Sequence, residues 1–316
     1  MRIIFLGTPE FAVPTLTELI ACPMACVVAL VTQPDRAAGR GRKLHQPPTK
    51  VLAERHGIPV FQPERLSKSP EIVEAMRALK PDVLVTAAFG QILRKSVLEL
   101  APYGVLNLHG SLLPKYRGAA PVNWAIINGE IITGVTTLFS DEGIDTGPML
   151  LQREVAIGPD TTSDELSHVL SVIGAGVVLE TLEAIRTNTI KPQPQDNDQA
   201  TYAPMLNKEL GQIDWSKPSA CIHNLVRGLV SWPGTYTYLN HLPVKVLKTA
   251  LAEQTQTSLV VPGEVVSVGE QVLVAVGGEG EQLIRLVEVQ PPSRPKMSAQ
   301  DWANGVRLKV GTVLGQ

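Results

Sequence analysis

The sequence predicts an α/β protein: a Rossmann-like, doubly wound sheet followed by a smaller, OB-like β-barrel. Three observations carry this prediction. The chain opens with strand, glycine turn, helix and strand: residues 2–6 are a continuous apolar run, Gly7-Thr8-Pro9 turns, and residues 27–31 are apolar again. Residues 187–206, TNTIKPQPQDNDQATYAPML, are polar and lack periodicity, as a linker does. Beyond them lie roughly five short strands separated by turns containing Gly and Pro. The expected division is a first domain over residues 1–188, a linker over 189–207 and a second domain over 208–316.

A chain of 316 residues is long enough for two ordinary domains. The net charge of −2 sets up no global basic field, so any nucleic-acid contact must come from a local patch. Cys22, Cys26 and Cys221 suggest neither a disulfide framework nor a zinc site, and they read as small buried residues of a reducing cytoplasm. The N-terminal apolar run stops at Gly7, which marks a strand and not a signal peptide. No stretch reads as the run of about eighteen apolar residues that a membrane span needs.

In chain order, Thr8 and Pro9 suit the start of a first helix, whose apolar spacing runs from Phe11 to Ile20. There is no GxGxxG after the first strand, so a dinucleotide site is not supported. Residues 33–50, QPDRAAGRGRKLHQPPTK, carry five basic residues against one acid and no apolar periodicity. They read either as a solvated loop or as a basic arm that grips phosphates. Residues 71–79 form an amphipathic helix, 82–87 a strand, 95–100 a helix, and 104–109 a further strand. Residues 121–128 read as a helix with Trp124 and Ile127 inward. Residues 133–139 alternate as a strand, and 161–186 form a long helix capped by Thr162 or Ser163. A helix at 219–230 precedes strands at 235–239, 244–248, 263–268, 271–276 and 283–289.

The candidate chemistry centres on residues 104–121, GVLNLHGSLLPKYRGAAP. Side chains two apart on a strand share a face, so Asn107 and His109 project together where the strand ends at Gly110. Residues 111–114, Ser111-Leu112-Leu113-Pro114, read as a short, stiff loop wall beside them. Asp145, in the glycine-rich loop SDEGIDTGP that follows another strand, is the best third partner. A carboxylate beside an imidazole orients it. An amide and an imidazole can donate to an oxygen that becomes negative, while the carboxylate, or a water it holds, takes a proton from an attacking group. A Ser–His–Asp hydrolase built on Ser111 is a rival, but the GxSxG turn that presents such a serine is missing. Asp141 and Glu142 read as loop-shaping or solvated, and His56, His168, His223 and His241 as structural or surface residues.

NLHGSLLPKYRGAAP followed by TGVTTLFSDEGIDTGPML resembles the signature of the enzymes that transfer a formyl group from 10-formyltetrahydrofolate to an amine. Asn107, His109 and Asp145 stand where that family has its catalytic Asn, His and Asp. Ser111, Leu112, Leu113 and Pro114 stand where the family holds the folate. Within the family the whole chain is similar to the members that act on methionine-charged initiator tRNA. RIIFLGTPEFAVPTL resembles their start, QPDRAAGRGRKL their inserted loop, and WPGTYTYL and MSAQDW segments of their second domain. The resemblance implies that Arg36, Arg40, Arg42 and Lys43 meet the acceptor end of the tRNA. It also implies a monomeric cytoplasmic enzyme with 10-formyltetrahydrofolate as cosubstrate, no metal and no membrane partner. The second domain's basic face is in question, because Lys and Arg barely outnumber Asp and Glu after Leu210. Lys245, Lys248, Arg285, Arg294 and Lys296 are its candidates. An amino-sugar or nucleotide-amine formyltransferase, a hydrolase of the formyl donor, and a non-catalytic RNA-binding protein are the other readings.

Overall fold

A computed structural model describes residues 1–38, 43–252, 260–278 and 282–316. The chain forms two compact units. The first comprises Met1–Pro121, Ile132–Ala156 and Ser167–Ala203; the second comprises Val122–Ile131, Ile157–Leu166 and Pro204–Gln316. Two short segments from earlier in the chain, Val122–Ile131 and Ile157–Leu166, therefore belong to the second unit.

The first unit is built on strands β1 (Arg2–Gly7), β2 (Cys26–Val31), β5 (Val60–Phe61), β6 (Val83–Ala87), β7 (Val105–His109), β9 (Ile132–Phe139) and β10 (Met149–Ala156). Their order across the sheet is β10-β9-β7-β6-β1-β2-β5. The five strands from β5 to β7 run parallel, while β9 and β10 are antiparallel. Ile3–Leu6 and Val83–Val85 are wholly buried, as the continuous apolar runs predict for a sheet covered on both faces. After β5 the chain crosses back to β6 on the other side of β1. This reversal opens a crevice at the carboxyl ends of β1 and β6, the usual ligand position in such sheets.

Helices α1 (Val13–Ala21), α2 (Pro48–Arg55), α3 (Pro70–Ala78) and α4 (Lys95–Leu98) lie in the first unit. The helix α5 (Pro121–Ile127) follows β8 (Arg117–Gly118). Its fully buried side chains are Ala125 and Ile126, while Trp124 and Ile127, expected inward, are half-buried. The long helix α6 (Ser163–Arg186) begins with a reciprocal cap. Thr162 Oγ1 accepts from the Glu165 amide at 3.3 Å, and Glu165 accepts from the Thr162 amide at 2.9 Å. By length and composition this helix could cross a membrane, which the sequence reading did not anticipate. Half of its most apolar window is buried within the protein.

Residues 33–50 differ from the expected loop. They contain a short hairpin, β3 (Arg36–Ala38) with β4 (Lys43–His45), and the start of α2. Three-residue strands pair through backbone alone, which apolar periodicity cannot report. Lys50 Nζ lies 2.7 Å from Asp35 Oδ2, and Gln62 Nε2 donates to Asp35 Oδ1 at 2.7 Å. Hydrogen bonds from Lys50 and then Gln62 hold the Asp35 carboxyl below its ordinary range. The cysteines differ from the burial expected of them: Cys22 is half-buried, and Cys26 and Cys221 are exposed.

The second unit carries α7 (Ser219–Gly228), β12 (Thr235–Leu239), β13 (Leu242–Leu251), β14 (Val265–Val268), β15 (Val272–Ala275), β16 (Leu283–Gln290), β17 (Met297–Ser298) and α8 (Ala299–Val306). The five expected strands are all present, as an antiparallel sheet in the order β12-β13-β16-β15-β14, and β17 pairs with β16. Trp215, Trp302, Ile222, Val246 and Leu286 lie in its core. His223, read as unpartnered from sequence, is buried there. Its Nδ1 is 3.0 Å from Thr249 Oγ1, and its Nε2 is 3.2 Å from the Pro159 carbonyl and 3.3 Å from Asp160 Oδ1. Nearby, Arg227 Nη1 donates to the carbonyls of Thr161 (2.8 Å) and Gly158 (3.2 Å).

Candidate active site

Asn107 and His109 leave the sheet at the end of β7, in register with Thr86 of β6 and Thr136 of β9. Their period of two puts both side chains on one face. Asp145 joins them from the loop after β9. Asn107 Nδ2 donates to Asp145 Oδ1 at 3.2 Å, and His109 Nδ1 lies 3.4 Å from Asp145 Oδ2. The Gly118 amide donates to the same Oδ2 at 2.9 Å. His109 Nε2 lies 2.9 Å from the Tyr116 carbonyl. Both ring nitrogens therefore face oxygen atoms. His109 is 6% exposed and Asp145 15%.

In the sequence reading Asp145 orients His109, while Asn107 and His109 donate to one outside oxygen. Here the three side chains bond to one another and to the backbone of residues 116–118. Burial favours this, because a polar group with little access to solvent finds a partner within the protein.

Two glycines make the arrangement possible. Gly118 has φ of +119°, and a Cβ there would lie 2.7 Å from the Ala203 carbonyl oxygen. That carbonyl is close because β8 pairs with β11 (Tyr202–Ala203). Gly147 packs so tightly that a Cβ would lie 1.8 Å from the Phe139 carbonyl oxygen. Asp145 between them takes a left-handed conformation, φ 54°, unusual for a residue with a side chain.

The loop at residues 111–114 is held by a polar clamp that sequence reasoning missed. Thr136 Oγ1 donates to the Ser111 carbonyl at 2.7 Å and accepts from the Leu113 amide at 3.1 Å. Gln152 Nε2 donates to that same Oγ1 and to the Leu113 carbonyl, both at 2.9 Å. Ser111 is fully buried, and its hydroxyl donates to the Lys115 carbonyl at 2.6 Å. Leu113 is also buried, which leaves Leu112 and Pro114 as the partly exposed members of the loop. A polar Thr136 on an otherwise apolar inward face was the available signal. Asp141 shapes its own loop, accepting from Thr146 Oγ1 at 2.6 Å and from the Gly143 amide at 3.0 Å. Ile144 beside it and Ile92 after β6 are large apolar side chains left exposed.

A cleft of about 540 Å³ opens on the same rim, lined by Thr8, Gln33, Arg36, His45, Phe89 and Gly90 among others. Phe89 and Gly90 continue β6, the neighbour of β7. Gln33 Nε2 fixes this wall by donating to the Phe89 carbonyl at 3.2 Å. Arg36 is exposed at the cleft edge. Arg40 and Arg42 lie outside the described residues, as does the side chain of Lys43. In the second unit Lys248 faces Glu288 in register, and Lys296 Nζ is 3.2 Å from Glu288 Oε1, so acids interrupt that candidate basic face.

An Asn, a His and an Asp converging on one rim, beside a crevice in a mixed α/β sheet, can together donate to an oxyanion and accept a proton, the needs of acyl-type transfer to a nucleophile. The chain belongs to the formyl transferase family: the formyl transferase model matches residues 1–182, and the model of its C-terminal domain matches residues 205–307. It is a transferase enzyme. A methionyl-tRNA formyltransferase of Acetivibrio thermocellus is 48% identical over 316 residues, covering 100% of both chains. One of Geobacter metallireducens is 48% identical over 315 residues, covering 100% of this chain and 99% of the relative. Among solved structures, an N-formyltransferase from Helicobacter canadensis, in complex with folinic acid and dTDP-3-aminofucose, matches with a TM-score of 0.68. Its identity is 21%, over 92% of this chain and 99% of that one, so the likeness is one of fold.

Proposed function

We propose that this chain transfers the formyl group of 10-formyltetrahydrofolate to the α-amino group of methionine esterified to initiator tRNA, in the cytoplasm and as a monomer. The observation that carries the reading is the convergence of Asn107, His109 and Asp145 at the end of β7. The names and full-length coverage of the relatives support the acceptor.

The free amine attacks the formyl carbon, and the carbonyl oxygen becomes an oxyanion. The Asn107 amide, turning from Asp145 Oδ1, and the Nε2–H of His109, turning from the Tyr116 carbonyl, stabilise that oxyanion. Asp145, directly or through a water, takes the proton the amine loses. Collapse breaks the bond to N10 of the folate, which leaves protonated as tetrahydrofolate, and the product is N-formylmethionyl-tRNA. His109 stays oriented by the carboxylate throughout.

Leu112 and Pro114, the partly exposed members of the 111–114 loop, offer an apolar surface suited to a flat folate ring. Ser111 and Leu113 hold that surface from beneath. The cleft between the loops after β1, β2 and β6 receives the aminoacyl end, with Thr8, Gln33 and His45 as donors. Arg36, Arg40, Arg42 and Lys43 grip the acceptor stem through phosphates. Residues 1–188 form the catalytic domain, and residues 208–316 extend the tRNA contact.

The test is an assay of the purified protein with 10-formyltetrahydrofolate and methionine-charged initiator tRNA, beside uncharged tRNA and an amino-sugar nucleotide. Formylation of the charged tRNA alone is the expected result. Formylation of the sugar amine without the tRNA would overturn the reading.

A further inference from the structure

We propose that Gln195 is a positioning residue for formyl transfer, fixing the backbone from which Asp145 presents its carboxylate. The inference rests on the catalytic reading of Asp145 and extends it into a segment that reads from sequence as a linker.

Gln195 uses every hydrogen-bonding position of its amide on the site. Its Nε2 donates to the Asp145 carbonyl at 2.7 Å and to the Gly147 carbonyl at 2.8 Å. Its Oε1 accepts from Arg117 Nε at 3.0 Å and Arg117 Nη2 at 2.8 Å. Arginine has only donors, so the oxygen end of the amide must face it. The flipped amide would set donor against donor at Arg117 and acceptor against carbonyl at residues 145 and 147. Arg117 thus dictates which end of Gln195 meets the catalytic loop.

Arg117 is itself well fixed. It is 2% exposed, and its Nη2 also donates to Asn197 Oδ1 at 2.9 Å. Backbone bonds lock the segment in place: Gln193 and Met149 exchange amide and carbonyl bonds, both at 2.8 Å. The next residue, Gly118, donates its amide to the Asp145 carboxylate. Arg117 and Gly118 therefore hold Asp145 from two sides, one through Gln195 to the backbone and one directly to the carboxylate. The left-handed backbone of Asp145 needs such support, because conformations of that kind persist only where their surroundings over-determine them.

Gln195→Glu separates the two halves of the arrangement. It keeps acceptors for Arg117, so the fold is retained, but it cannot donate to the loop. We expect kcat to fall on the order of ten- to a hundredfold, as for small misplacements of a catalytic group. The KM for 10-formyltetrahydrofolate should change by less than about threefold, since donor binding is not what is lost. In an Asp145→Asn background the same change should add less than about a factor of two, because Gln195 acts through Asp145. Hydrogen exchange of the Gln195→Ala protein should quicken at the amides of residues 145–147 and stay unchanged in β7.

The proposal is overturned if Gln195→Glu keeps wild-type kcat, or if its full factor reappears in the Asp145→Asn background. Wild-type turnover by Asp145→Asn alone would instead defeat the catalytic reading of Asp145. Exchange at 145–147 then decides the positioning claim by itself: quickened exchange in Gln195→Ala upholds it, and unchanged exchange overturns it.

Discussion

Asp145 receives three groups at once: the Asn107 amide, the His109 ring and the Gly118 N–H. Each comes from a different place in the chain's geometry. Two stand on one face of β7, and the third is a backbone amide that only a glycine can offer at φ +119°. Gly118→Ala therefore tests the site at the scale of a single atom. The added Cβ would meet the Ala203 carbonyl, so the β8–β11 contact must open or the amide must swing away from Asp145. Urea unfolding should show a loss on the order of 1–3 kcal/mol, the usual cost of forcing such a backbone. The kcat should fall with it. Unchanged stability would mean that this approach is looser than described. Asn107, His109 and Asp145 are legible in the sequence, because period two and strand-end loops need only local reasoning. Gln152 and Gln195 are not, since each acts by a side-chain amide on distant backbone, and no periodicity records that.

Among the elements, apolar runs and alternation find β1, β2, β6, β7 and β9, and all five main strands of the second unit. They miss β10, whose outer residues Gln152, Arg153 and Glu154 break the pattern on an edge strand, and they miss the β3–β4 hairpin. Residues 189–207 carry too few apolar side chains to signal order. Their order comes from the Gln193–Met149 backbone pairing, the Arg117–Gln195 bonds and β11. Helix α7 has a device of its own in His223, which links the helix to β13 and to residues 159–160. Burial pushes its pKa below the ordinary histidine value, and Arg227 adds to this; the Pro159 carbonyl and Asp160 oppose it. The unfolded chain therefore takes up a proton near pH 6.5 before the folded one does. Stability contributed by the neutral ring is complete above about that pH and falls as the pH drops toward the lower folded value. All four tryptophans lie in the second unit, so their fluorescence follows its unfolding. Between pH 7 and pH 5, values on the order of one or two units around the reference pKa, the midpoint should fall more for the wild type than for His223→Gln. Parallel curves would remove His223 from the account.

At the scale of the whole molecule, a net charge of −2 offers no general attraction for RNA. The case for tRNA rests on a local arm and on the relatives, which match from end to end. The arm is rooted beside the cleft: Lys50 and Gln62 hold Asp35, one residue before Arg36 and β3. Opposed charges at Lys248, Glu288 and Lys296 leave the second unit a mixed face. On the proposed reading, contact with the acceptor stem would be concentrated at this arm, close to the reaction centre, where it can align the amine with the formyl carbon. The sequence shows the arm's charge but not its root, because the root consists of three polar side chains from separate elements. The central claim is that the carboxamide, imidazole and carboxylate of this rim act on one carbonyl carbon. It is tested most directly by single-turnover transfer of labelled formyl from 10-formyltetrahydrofolate to methionine-charged tRNA, comparing Asn107→Ala with the wild type at enzyme excess. The account predicts a rate lower by on the order of a hundredfold or more, with an unchanged melting temperature; a folded Asn107→Ala protein that transfers formyl at close to the wild-type rate would contradict it.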